Sequence, residues 1–217
     1  MRSAVKREVW LQAQTGHLET WQGFASLGKR SSPERAARWK SVIAEVEARG
    51  AIRDGEVVLD IGCGLDSVLD FMPRVHGVTL DSLMAKLKPL GLSPEIDHAA
   101  GVFEVMPFRS ESFDRCFLMN VLDHVRDPEI GLAEIARVLR RGGVLVLSVD
   151  TYSGRRYWEK RARKWWDRKR GARTKHPWVF SVSDVEAALR RTGFEPGPPA
   201  HSPASKARRT LLTARKL

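Results

Sequence analysis

The run Val57-Val58-Leu59-Asp60-Ile61, followed at once by Gly62-Cys63-Gly64, constrains this chain more than any other feature. A short apolar run of β-branched type with glycine on both sides (Gly55 and Gly62) reads as a buried strand. Strands buried on both faces belong to parallel sheets covered by helices. The glycines let the backbone turn sharply and approach a ligand with no Cβ in the way. In a doubly wound sheet, ligands bind beyond the carboxyl ends of the strands, where the strand order reverses. The run therefore predicts an α/β fold and the corner of it that carries a site.

The rest of the chain supplies the alternation such a fold needs. Strands are predicted at 75–80, 96–103, 113–119 and 144–149, with a last one at 209–214. Helices are predicted directly after the glycine turn and at 83–90, 128–139 and 183–193, with Arg140-Arg141-Gly142-Gly143 as a cationic helix end and glycine stop. Upstream, residues 3–28 read as an irregular helix carrying Trp10 and Trp21. Ser32-Pro33-Glu34 starts a second helix, with Ala36, Trp39, Ile43 and Val46 at helical spacing and Gly50 closing it. The expected organisation is an N-terminal helical cap over 1–54 and an α/β domain over 55–217 with a basic helical insertion at about 153–175.

The 217 residues suffice for one ordinary domain. Two cysteines, Cys63 and Cys116, are too few for a disulfide framework or a cysteine zinc site. No His/Cys/carboxylate cluster has zinc spacing, so no metal is expected. There is no run of about 18 apolar residues to cross a membrane. The first residues lack the apolar stretch of a signal peptide, so the expected compartment is the reduced cytoplasm.

Asp81 ends the second predicted strand, 21 residues after Asp60, where an acid can accept both ribose hydroxyls of a nucleoside. A dinucleotide site would carry a third glycine and put a pyrophosphate on the helix N-terminus. Here Asp66 and Ser67 follow Gly64, and an aspartate there repels pyrophosphate. An acid-rich turn suits a cationic ligand, such as the amino group and sulfonium of S-adenosylmethionine.

Val58 to Gly64 resembles the first motif of class I S-adenosylmethionine-dependent methyltransferases. Met106-Pro107-Phe108 with Ser112-Phe113-Asp114, then Asn120-Val121-Leu122-Asp123-His124-Val125, then Glu134 to Gly143, resemble their later motifs in order. His176 to Ser181 and Gly193-Phe194 resemble the later part of some members, so the match spans roughly 55–195. The resemblance implies a doubly wound, mostly parallel seven-stranded sheet with the last strand antiparallel. It implies S-adenosyl-L-methionine as methyl donor, held by Asp60, Gly62, Cys63, Gly64, Asp81, Phe103 and Asn120. Three positions depart from the pattern: Asp66 replaces the usual third glycine, Val102 replaces a frequent acid, and Arg141 replaces a proline. With Val102 there, adenine relies on backbone near Val102 and Phe103 and on apolar stacking.

A sulfonium donor is already activated, so the protein mainly positions the acceptor, and a general base helps when the acceptor is a hydroxyl or a protonated amine. His124 and His176 are the candidate bases, with Asp123 and Tyr152 behind them. The acceptor expected is a small molecule or carbohydrate-type compound, methylated at oxygen or nitrogen. An RNA methyltransferase and a non-catalytic cofactor-binding partner subunit are the alternatives.

Net charge is +11, and residues 155–175 hold eleven Lys/Arg against Glu159 and Asp167. Over 154–170 a helix would put Trp158, Ala162, Trp165 and Lys169 on one stripe with Trp166 beside it. Four uses are open: a lid whose tryptophans pack on the domain, a membrane-surface helix, a clamp for an anionic acceptor, and an RNA-binding surface.

Overall fold

The computed structural model describes residues 4–28, 32–50, 52–170, 174–201 and 209–217. Two helices open the chain, α1 (Arg7–Ser26) and α2 (Pro33–Glu47). Ser32 caps α2 by accepting the Arg35 N–H, and Pro33 sits in its first turn, where the missing N–H costs nothing. The strands are β1 (Val57–Ile61), β2 (His76–Asp81), β3 (Asp97–Ala100), β4 (Phe113–Met119), β5 (Leu139–Asp150), β6 (Phe194–Pro196), β7 (Ala200–His201) and β8 (Arg209–Lys216). The remaining helices are α3 (Met84–Leu87), α4 (Pro128–Val138), α5 (Gly154–Lys169) and α6 (Val182–Arg191).

The strands form one sheet in the order β3-β2-β1-β4-β5-β8-β6, with the two-residue β7 paired to β8 off that path. Strands β1 to β5 pair in parallel, whereas β8 runs antiparallel to β5, β6 and β7, so the sheet is mixed. The order reverses between β1 and β4, which opens a crevice at their carboxyl ends. Alternation along β4 divides the core. Cys116 and Leu118 face the layer that holds Leu132 and Ile135 of α4 and Val185 and Leu189 of α6. Phe117 faces the layer that holds Trp39, Val42 and Val46 of α2. The second helix is thus part of the sheet's own core.

Three expectations change. The glycine turn is followed by a single 3-10 turn, Val68–Phe71, instead of a regular helix. Asp60 holds the Val68 N–H, and Pro73 forbids continuation. The face left open is covered by α2. Residues 140–143 are not a helix end: β5 starts at Leu139, and its register against β4 jumps between the Phe113–Leu139 and Arg115–Val144 pairs. Arg140 to Gly143 form an outward bulge there, with Gly142 at φ +74°. Finally, α5 does not pack its tryptophans on the domain. Tyr157 makes that contact, and Trp158, Trp165 and Trp166 are exposed. Residues 171–173 of the basic segment lie outside the described residues.

Candidate active site

A cavity of about 530 Å³ opens at the carboxyl ends of β1, β2 and β4, within the usual range for small-ligand sites. Its floor is the glycine turn. Gly62 and Gly64 both have left-handed φ, +69° and +56°, as the sharp reversal requires. Asp81 braces the turn: one carboxylate oxygen accepts the Gly64 N–H at 3.0 Å and the other the Leu83 N–H at 2.8 Å. Each oxygen keeps a lone pair for a ligand. Burial pushes the Asp81 carboxyl above its ordinary range. Asn120, at the end of β4, has φ +62° and donates its N–H to the Ser148 carbonyl. Asparagine tolerates that region better than other non-glycine residues.

The other cofactor candidates play different parts. Asp60 turns inward, accepting from Ser67 Oγ at 2.7 Å and from the Val68 N–H, and burial pushes its carboxyl up to about 7. Cys63 borders the cavity with its sulfur against the Gly64 carbonyl, and burial pushes the thiol well up, so it stays a thiol. Phe103 borders both the core and the cavity. Its ring packs beside Gly131 of α4, where a Cβ would come within 1.7 Å of Cε1, while the residue also lines the cavity next to Val102. Asp66 corrects one expectation. Its carboxylate is held by Arg35 Nε at 2.6 Å, Trp39 Nε1 at 2.7 Å and Arg38, so it fastens α2 instead of lending charge to a ligand.

The two candidate bases meet. Asp123 Oδ2 lies 2.7 Å from His176 Nδ1, and the His124 and His176 ring centroids are 4.1 Å apart. A carboxylate only accepts, so the proton of a neutral His176 sits on Nδ1 and Nε2 keeps its lone pair. His124 Nδ1 is 2.9 Å from the Lys175 carbonyl, which places its proton there too. Burial disfavours the charged form of Asp123, yet the His176 hydrogen bond and the two nearby imidazoles bring it below its ordinary pKa. Burial lowers His124. Tyr152 is raised by burial and by Asp150, which makes it a poor base.

Residues of α1 complete the site, none of them among the site residues named from the sequence. Trp10, Gln14, His17 and Trp21 line the cavity, and their spacing of four, three and four is one helix face, a readable signal. His17 stacks edge-on with His124 at 4.7 Å, and burial and its neighbours lower it to about 4. The Trp21 ring lies over the turn so closely that a Cβ on Gly64 would fall 2.0 Å from it. Lys175 Nζ donates to the Gly16 carbonyl and to Thr20 Oγ1, tying α1 to the segment that bears His176.

Asp123, His124 and His176 also present three donor atoms within 4.8 Å of one another, and Asp123 Oδ1 has no hydrogen-bond partner among the described residues. Among the described residues, these three have the geometry to hold a divalent ion. Fifty-two residues separate the two histidines in sequence, so spacing alone does not show the cluster.

Residues 32–196 match the family model described as "Methyltransferase domain". A demethylmenaquinone methyltransferase of Renibacterium salmoninarum is 36% identical over 115 residues, 51% of this chain and 47% of that protein. A tRNA U34 carboxymethyltransferase of Pseudomonas aeruginosa is 31% identical over 172 residues, 72% of this chain and 49% of that protein. The chain spans about half the length of these curated relatives, or less. Among solved structures, a Burkholderia thailandensis 1,6-didemethyltoxoflavin-N1-methyltransferase with bound 1,6-didemethyltoxoflavin and S-adenosylhomocysteine matches with a TM-score of 0.67 at 16% identity. That match covers 100% of this chain and 92% of that one, and it shows the shared fold. With the strand order, the glycine turn and the matched family model in agreement, the chain belongs to the class I S-adenosylmethionine-dependent methyltransferases.

Proposed function

We propose that this protein transfers the methyl group of S-adenosylmethionine to an oxygen or nitrogen of a small-molecule acceptor, carbohydrate-type compounds included. One observation carries the reading: His176, held by the buried Asp123, opens into the same cavity as Gly62, Asp81 and Asn120. The residues fit the donor. Left-handed backbone at Gly62, Gly64 and Asn120 gives close approach, and Asp81 offers spare lone pairs to ribose hydroxyls. When bound, the donor supplies an already activated methyl group.

The chain's own part is to position the acceptor and hold its proton. Asp123 fixes the His176 ring with the proton on Nδ1, and Nε2 takes a proton from an acceptor hydroxyl or ammonium. His124 and His17, both kept neutral by burial, leave the wall beside it uncharged. The α1 face forms one wall of the site. General bases of this kind contribute on the order of 10²-fold or more. The expected result for His176→Ala is therefore a kcat lowered about 100-fold, with unchanged S-adenosylmethionine affinity by calorimetry. The assay is methylation of fractionated extract with a labelled donor. Wild-type turnover in that variant removes His176 from the mechanism. Loss of activity on chelation, fully restored by a divalent ion, would replace the base reading with a metal one.

A further inference from the structure

The outer face of α5 takes no part in the site, and nothing among the described residues covers it. Trp158, Trp165 and Trp166 are 65%, 53% and 48% exposed. Successive helical residues turn by about 100°, so these three fall within one arc together with Ala162 and Lys169. The opposite side is fastened down. Tyr157 is buried and donates its hydroxyl to Asp184 at 2.7 Å, and Lys164 Nζ donates to Thr174 Oγ1 at 2.5 Å. Thr174 in turn donates to the His176 carbonyl at 3.2 Å. One face of α5 is thus joined to the wall of the active site while the other holds indoles to solvent. Between Arg155 and Arg170 the chain carries nine Lys/Arg against Glu159 and Asp167.

Three uncovered indoles on a convex helix flanked by cations match the chemistry of a bilayer's headgroup layer. There the ring body enters the apolar boundary, its N–H stays hydrated, and Lys/Arg meet lipid phosphates. RNA fits less well, because bases stack on open ring faces. Here Lys169 stands over Trp165 at 4.2 Å and Arg170 over Trp166 at 4.5 Å, and the two indoles stack on each other at 6.2 Å. Those ring faces are already engaged. No described helix is long and apolar enough to cross a membrane, so the contact lies along the surface.

We propose that α5 docks the protein on anionic lipid bilayers through Trp158, Trp165 and Trp166 and their flanking cations. Docking holds the His176 wall one helix diameter, roughly 10 Å, from the lipid surface. The corollary that the methyl acceptor is lipid-borne rests on the methyltransferase reading above, whereas the docking does not.

The test is cosedimentation of the full chain with phosphatidylcholine vesicles, pure or with 30% phosphatidylglycerol. The expected result is partition at least tenfold stronger to the anionic vesicles, with a blue shift of tryptophan emission. Trp158→Ser/Trp165→Ser/Trp166→Ser and, separately, Arg155→Glu/Arg163→Glu/Lys169→Glu each lower that partition at least tenfold. Circular dichroism and S-adenosylmethionine affinity stay at wild-type values, since these side chains lie outside the core. Equal partition to both vesicles, or undiminished binding by the tryptophan variant, overturns the proposal. So does tighter binding to a single-stranded RNA oligomer that the same variants abolish. Vesicle binding without methyl transfer to any extracted lipid leaves the docking in place and removes the lipid-borne acceptor.

Discussion

Asp60 is the acid of the glycine motif, yet its carboxylate points into the protein. It accepts from Ser67 and Val68, and burial pushes it up to about 7, so at pH 6 it is mostly neutral. A neutral amide with the same acceptor oxygen should replace it. Asp60→Asn is expected to keep stability within about 1 kcal/mol, while Asp60→Ala strands a buried N–H and hydroxyl and costs about 2–3 kcal/mol. Urea midpoints of the two variants at pH 6 decide this, and equal losses would contradict it. His17 makes a pH prediction. Its folded pKa of about 4 lies below the ordinary 6.5, so the unfolded chain binds more protons between those values. Stability from the buried neutral ring is complete above pH 6.5 and is lost as pH falls toward 4. His124, also lowered, adds in the same direction. The urea midpoint should fall between pH 7 and pH 5, and His17→Gln should flatten that fall. A variant with the wild-type slope would show that His17 is not the group responsible.

At the scale of elements, α2 is held by charge as well as by apolar packing. Asp66 joins Arg35, Arg38 and Trp39, and Arg35 also meets Asp70 and the Ser67 carbonyl. The Arg35 and Asp66 side chains are only 7% and 10% exposed. Removing one partner of such a pair leaves the other buried and uncompensated. Asp66→Ala should cost about 3 kcal/mol, the low end of that class because Asp70 keeps part of the guanidinium paired. Asp66→Asn, which retains an acceptor, should cost less. Denaturant midpoints with an unchanged slope would check both. At this position the spacing of glycines was readable and the role was not: an acid in a ligand loop looks the same in sequence whether it faces the ligand or two arginines from thirty residues upstream.

Across the whole molecule, legibility followed the range of the interactions. Val57–Ile61 and Phe113–Met119 are strands at the residues the pattern indicates, because burial on both faces leaves a local apolar run. The glycine turn is local too. The Asp123–His176 pair joins residues 53 apart, and the side of α5 that meets the domain depends on one tyrosine among three tryptophans. Periodicity marks a stripe but not what the stripe faces. Nor does it separate a strand bulge from a helix stop at Arg140 to Gly143, since glycine with positive φ serves both.

β8 lies between β5 and β6, paired along seven residues with one and three with the other. The last of the described strands in chain order is therefore one of the sheet's inner strands. Until residues 209–216 emerge, β5 presents a bare hydrogen-bonding edge to whatever is near, and chaperone capture or pairing with a second nascent copy is the hazard during that interval.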